Sequence, residues 1–300
     1  MKVSDLTSDA FAAALGSGLA VRLGPFVVHW RVTVPAARGP LHALYAHHPL
    51  AEPDEPPDVY VDCRAHLNPR RPWSRRIHLS IDGRFHAAQA RAQLSVPALE
   101  WTMNWSLATR AHEYLMLHAA VVARDGRAVI LPAPPGSGKS TLCGALVARG
   151  WRLLSDEFTL IRPGDGLIAP LPRPVSLKEG AIAVMRRFAP EHMFAGVFPG
   201  TVKGTVGYVL PPAASVAAQD EPARPCCVVL PRWRSGAAVR TEALSRTGTF
   251  LALNRNAVNY SILGERGAAL LAGLAGGCPG HRLAYDSLDD AVDAVGGLAA

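Results

Sequence analysis

The sequence predicts an α/β fold in which a P-loop domain follows a smaller β-rich domain. Three observations carry this. Residues 20–96 read as β-like, with apolar and polar positions alternating with period two at Val27 to Val34 and Val59 to Cys63, the spacing of half-buried strands. Ala128-Val129-Ile130-Leu131-Pro132 runs straight into the glycine-rich loop Ala133-Pro134-Pro135-Gly136-Ser137-Gly138-Lys139-Ser140-Thr141, and a helical run, Leu142 to Arg149, follows. A second apolar run, Leu153-Leu154-Ser155, then ends in the paired carboxylates Asp156 and Glu157.

Along the chain, each element has its own signal. The apolar patch Phe11 to Val21 follows Asp5 and Asp9, with Lys2 the one basic residue before it. It reads as a first amphipathic helix, not a secretory signal, and the chain is expected in the cytoplasm. Val27 to Val34 and Val59 to Cys63 alternate as strands, joined by the polar loop Ala51 to Asp58. Arg76 to Ile81 runs into Asp82-Gly83, a hairpin-turn pair. Pro97 to Met116 has helical spacing and carries Trp101, Trp105, Leu107 and Tyr114. The expected division is a β-rich region over 1–110 and the P-loop domain over 111–300.

Composition bounds the function classes. Hydrophobic residues make up 49% of the 300, which excludes wholesale disorder. No uncharged run reaches the ~18 apolar residues of a spanning helix, so no membrane role is expected. The longest, Gly204 to Gln219, holds two prolines and reads as strand and loop. Five cysteines, widely spaced but for the adjacent pair Cys226-Cys227, suit neither a metal site nor a redox motif and read as reduced thiols. The net charge is +7, yet lysine occurs only at Lys2, Lys139, Lys178 and Lys203. A chain that uses Arg for ordinary charge and keeps Lys inside the sequence points weakly to chemistry that wants an ammonium.

The loop chemistry requires its residue types. Gly136 and Gly138 let backbone N–H groups close on phosphate oxygens, with Ser137 between them. The helix N-terminus adds positive potential. Lys139 meets the β- and γ-phosphates, and the Ser140 hydroxyl ligates Mg²⁺, with Thr141 beside it. Ala133 stands where the motif begins with Gly. Only a helix and one short turn separate Lys139 from Asp156-Glu157, which places the acidic pair on the next strand.

The run Leu117-His118-Ala119-Ala120-Val121-Val122, the P-loop and Leu153-Leu154-Ser155-Asp156-Glu157 together resemble the bacterial HPr kinase/phosphorylase family, and more closely its HPr-kinase-related branch. The resemblance continues through Arg173-Pro174-Val175-Ser176-Leu177-Lys178, Lys203-Gly204-Thr205-Val206 and Asn259 to Gly264, and covers roughly 112–293. It implies a kinase domain related in fold to phosphoenolpyruvate carboxykinase. It also implies Mg-nucleotide (ATP, with GTP an option) as donor and a serine on a protein or peptide as acceptor. Carried over, Ser140 and Asp156 hold Mg²⁺, and Glu157 is the base, with Asp156 the alternative. His118 orients the acceptor hydroxyl, and Lys178 and Lys203 stabilise the transferring phosphoryl group. Asp156-Glu157 stands where the family has paired aspartates, and Ala119 where it has Gly.

Two other readings stay beside the serine kinase: a small-molecule P-loop kinase, and a nucleotide-binding regulatory module with little turnover. Arg64, Arg70, Arg71, Arg75, Arg76 and Arg84 surround Trp73. This reads as a solvated face or a docking surface for an acidic partner rather than a nucleic-acid site. A homo-oligomer is left open.

Overall fold

The structure is a computed structural model that describes residues 1–66, 76–87, 91–191 and 194–300. The first part contains α1 (Ser8–Ser17), β1 (Leu19–Leu23), β2 (Phe26–Val32), α2 (Pro35–Leu44), β3 (Val59–His66), β4 (Arg76–Ile81), β5 (Arg84–Ala87) and α3 (Ser95–Arg110). Its strands form one sheet in sequence order, antiparallel except for the parallel β2–β3 pair. Asp82 and Gly83 both adopt positive φ, which closes the expected hairpin between β4 and β5. Two boundaries differ from the sequence pattern. Gly18, at φ 140°, ends α1 and turns Leu19–Leu23 into a strand. α3 stops at Arg110, and Leu115–Leu117 becomes β6, because Asn259 and Thr159 supply β-type partners that local spacing does not announce.

The second part continues with β7 (Ala119–Arg124), β8 (Arg127–Pro132), α4 (Lys139–Ala148), β9 (Arg152–Ser155), β10 (Thr159–Ile161), β11 (Ile168–Ala169), β12 (Val175–Lys178) and α5 (Gly180–Phe188). There follow β13 (Phe194–Thr201), β14 (Gly204–Val209), α6 (Ala213–Ala217), β15 (Arg224–Trp233), β16 (Arg240–Ala243), α7 (Arg246–Arg255), α8 (Tyr260–Gly277), β17 (Gly280–Tyr285) and α9 (Leu288–Ala299). The expected strand and loop after Gly204 are β14 followed by the short α6. Six strands form the main sheet, in the order β16-β17-β15-β8-β7-β9. Smaller sheets, β11-β10-β6 and β12-β14-β13, flank it. The result is a mixed α/β molecule with several sheets.

The main sheet is covered on both faces. Ala120, Val122, Val129 and Leu131 pack with α4, α5 and α9. Their alternating neighbours Val121, Ala123, Ala128 and Ile130 pack with α7 and α8. Burial on both faces explains why these strands read as continuous apolar runs. Strand direction then sets the site. β15 and β17 run parallel to β8, and β7 runs antiparallel to both β8 and β9. The carboxyl ends of β8, β9, β15 and β17 and the start of β7 therefore share one edge.

The hydrophobic core does not stop at residue 110. Trp30, Tyr45, Leu99 and Met103 belong to the same buried cluster as Met116, Phe158, Leu160, Leu171, Val206 and Tyr208. Among the described residues, no helix is long and apolar enough to cross a membrane. All five cysteines are free thiols, and four of them are buried. Of the arginine cluster, Arg70, Arg71 and Arg75, with Trp73, lie outside the described residues. Arg64 and Arg84 are exposed, and Arg64 is paired with Asp62.

Candidate functional site

The glycine-rich loop leaves the carboxyl end of β8 and enters α4 at Lys139, three residues before the expected helix start. Gly136 and Gly138 sit at φ 82° and 92°. At Gly138 the constraint is double, because a Cβ would also lie 2.6 Å from the Tyr285 hydroxyl. The loop is tied to the far side of the sheet: Trp233 N–H donates to the Ser137 carbonyl at 2.9 Å, and the Tyr285 hydroxyl donates to the Gly138 carbonyl at 3.3 Å.

Lys139 is buried, and its Nζ donates to the Asp156 backbone carbonyl at 2.9 Å. This bond crosses from the loop to the acidic pair. The pair itself lies not within a strand but in the bend after β9, which ends at Ser155. A bend frees both carboxylates from the alternation of a strand, so they take different surroundings.

Asp156 is buried at 3% exposure. Its Oδ2 accepts the Ser176 N–H from β12 at 3.2 Å. Its Oδ1 is buried without a hydrogen-bond partner among the described residues. Burial raises the Asp156 carboxyl above the ordinary range, against the pull of Lys139, and the neighbouring Glu157 charge adds to the rise; the Ser140 hydroxyl acts to lower it. A buried carboxylate with one free oxygen beside a hydroxyl suits a hard divalent cation. Ser140 and Asp156 therefore fit Mg²⁺. Among the described residues, no group of three or more His, Cys, Asp or Glu is placed to hold a metal ion.

Glu157 faces outward, its side chain 34% exposed, and lies 3.4 Å from Nε2 of the half-exposed His118. Burial pushes its carboxyl up, but the His118 hydrogen bond and the Lys139 ammonium outweigh this and hold it well below the usual range. His118 arrives there because β7 lies between β8 and β9, which puts its first residues at the shared edge. Its backbone N–H donates to the Asn256 carbonyl at 2.7 Å, at the end of α7.

Lys178 is exposed at the end of β12, the strand that holds Asp156. Lys203, in the β13–β14 turn, lies 5.0 Å above the Trp101 ring. Partial burial and the Lys178 charge lower its ammonium, and Glu157 acts the other way. Lys139 and Lys203 thus lie near the acidic pair, and Lys178 lies near Lys203. Thr141 sits one position further along α4 and is partly buried.

Several residues around the site carry no chemical motif in the sequence. Arg173 forms a buried ion pair with Glu100 at 2.6 Å, and the Tyr45 hydroxyl donates to the same carboxylate. Beside them lies a cavity of about 20 Å³, lined by Glu100, Trp101, Asp156, Glu157, Arg173 and Tyr208, among others. Arg173-Pro174 was legible only through the resemblance, and Glu100 and Tyr208 only through tertiary packing. Asn259, also in the resembling segment, is fully buried and structural. Its Oδ1 accepts Met116 N–H at 2.9 Å, and its Nδ2 donates to the Tyr114 carbonyl at 2.8 Å.

Comparison with known proteins adds little. Residues 91–177, which include the loop and the acidic pair, match the family described as SynChlorMet cassette protein ScmC. No curated protein matches the chain. Among solved structures, the HPr(Ser) kinase/phosphatase from Coxiella burnetii aligns over 61% of this chain and 92% of its own. The identity is 13% and the TM-score 0.25, below the level at which a shared fold follows.

Proposed function

We propose that this chain is a P-loop kinase of the HPr-kinase-related type, which transfers the terminal phosphoryl group of ATP, or of GTP, to a serine hydroxyl on a protein or peptide. One observation carries the reading: Lys139 joins the glycine-rich loop to an acidic pair whose members divide the work. Asp156 is buried with a free oxygen beside Ser140, and Glu157 is part-exposed and held by His118. The loop amides from Gly136 to Ser140 cradle the phosphates, and Lys139 offsets their charge. Ser140 and Asp156 would hold Mg²⁺, which when bound supplies positive charge against the phosphate oxygens.

Glu157 accepts the proton of the serine hydroxyl as its oxygen bonds to the γ-phosphorus and the bond to the β–γ bridging oxygen breaks. A carboxylate held below the usual range is ionised at neutral pH and so able to accept a proton. His118 orients Glu157 through its Nε2. Lys178 and Lys203 lie where charge on the transferring group could be met. The cavity beside Glu157 is about 20 Å³, the size of one water. An acceptor that approaches from outside, as a protein side chain does, fits better than a buried small molecule.

Incubation with γ-labelled ATP and candidate acceptors, followed by phosphopeptide mapping, tests the reading. Label on serine in wild type, absent in a folded Lys139→Ala variant, is the expected result. Nucleotide binding with no transfer to any acceptor would favour a regulatory module. Equal nucleotide-induced thermal stabilisation of wild type and Lys139→Ala would remove the P-loop reading.

A further inference from the structure

The edge of the main sheet has two flanks. On one side of the glycine-rich loop lie β7 and β9, with His118, Asp156 and Glu157. On the other lie β15 and β17. β8 connects through α4 to β9, whereas β15 connects through α7 and α8 to β17 on the opposite side. The chain therefore departs in opposite directions from the adjacent strands β8 and β15, and a crevice outside their carboxyl ends is where open α/β sheets take ligands.

β15 ends at that crevice in Trp233, whose side chain is 50% exposed although the strand interior is buried. Its backbone N–H is bonded to Ser137 of the loop. Its Cβ lies 3.1 Å from where a Cβ on Gly138 would be, so the side chain leaves the backbone beside the loop. Arg232 and Arg234 on either side are exposed as well. An indole held out to solvent against a phosphate loop loses hydrophobic burial, and the packing of the sheet gives no reason for it.

We infer that Trp233 is the nucleobase platform of the nucleotide site: the base stacks on its indole, and the phosphates run across the loop toward Asp156 and Glu157. This rests on the proposed nucleotide function and deepens it. The polarity follows from placement. The reacting end must meet the acidic pair on the β9 flank, so the base belongs on the β15 flank, where Trp233 stands. Stacking accepts any base, because every base presents a π-face. The inference thus carries little discrimination between adenine and guanine.

The test compares Mg-ATP with Mg-tripolyphosphate, which has the phosphates and lacks the base, by calorimetric titration of the full chain. Wild type should bind ATP more tightly than tripolyphosphate. Trp233→Ala should lose about ten-fold or more in ATP affinity and leave tripolyphosphate unchanged. Trp233→Phe should keep most of the ATP affinity, and nucleotide-dependent quenching of indole emission should disappear in it. An equal loss for both ligands would make Trp233 a prop for the loop and overturn the inference. No loss for either, or no preference of wild type for ATP over tripolyphosphate, would overturn it too while the phosphate loop stands. Wild type that binds neither ligand would overturn the nucleotide reading and this inference together.

Discussion

Asp156 and Glu157 are neighbours in sequence and opposites in environment, which gives them separable phenotypes. Glu157→Gln keeps shape and removes basicity, so transfer should fall by about 10²-fold or more with nucleotide binding nearly intact. Asp156→Asn should instead raise the Mg²⁺ concentration needed for half-maximal nucleotide binding. Titration of each variant with Mg-ATP, alongside the transfer assay, separates them. Near-normal transfer by Glu157→Gln would pass the base role to Asp156. A second residue-scale effect is unrelated to catalysis. His48 is fully buried, its Nε2 3.2 Å from the Pro172 carbonyl, and burial lowers its imidazole from 6.5 to about 3. The folded state therefore keeps it neutral where the unfolded chain protonates it. Its contribution to stability is complete above pH 6.5 and is lost, at about 1.4 kcal/mol per pH unit, as pH falls toward 3. Chemical denaturation of His48→Gln against wild type at several pH values should show a shallower acid slope in the variant.

At the scale of elements, the short strand β6 is held by β10 and by one side chain. Leu115–Leu117 is too short to hold its place alone, and Asn259, at the start of α8, bonds the Met116 N–H and the Tyr114 carbonyl just before it. Asn259→Ala would strand a buried N–H and a buried carbonyl, and should cost about 3 kcal/mol of stability. It should also loosen His118, which leads directly from β6 into β7. Thermal unfolding gives the first number. A fall in transfer rate greater than the fall in nucleotide affinity would report the second. The acidic pair shows a related dependence: it sits in a bend, where the Ser176 N–H of β12 holds the Asp156 carboxylate and Lys139 holds its backbone carbonyl.

Across the whole molecule, the two halves of the chain share one core and one buried ion pair. Glu100 comes from α3, Arg173 from the segment before β12, and Tyr45 bonds the Glu100 carboxylate while Asn104 accepts from Arg173. Removal of one partner leaves an uncompensated buried charge, so Arg173→Met should cost about 3–5 kcal/mol. The double variant Glu100→Gln/Arg173→Met should recover part of that loss, and a double-mutant cycle by denaturant titration measures the coupling. Because the core cluster crosses residue 110, calorimetry should show residues 1–110 melting together with the rest rather than in a separate transition.

What could be read without the structure was whatever depends on local sequence. The glycine-rich loop between β8 and α4, the Asp82-Gly83 hairpin and the helix stop at Gly150 follow from backbone chemistry at single positions, and strand periodicity follows from which faces are buried. Lys139 and the acidic pair were legible because loop and pair are joined by one helix. Tertiary structure alone decided which distant residues meet them. The insertion of β7 between β8 and β9 brings His118 to Glu157, and the parallel return of β15 places Trp233 against the loop. β12 carries Ser176 to Asp156, the β13–β14 turn carries Lys203 toward Glu157, and α3 supplies Glu100 and Trp101. These approaches are set by sheet order and strand direction, which arise from long-range pairing, and no window of neighbouring residues encodes them.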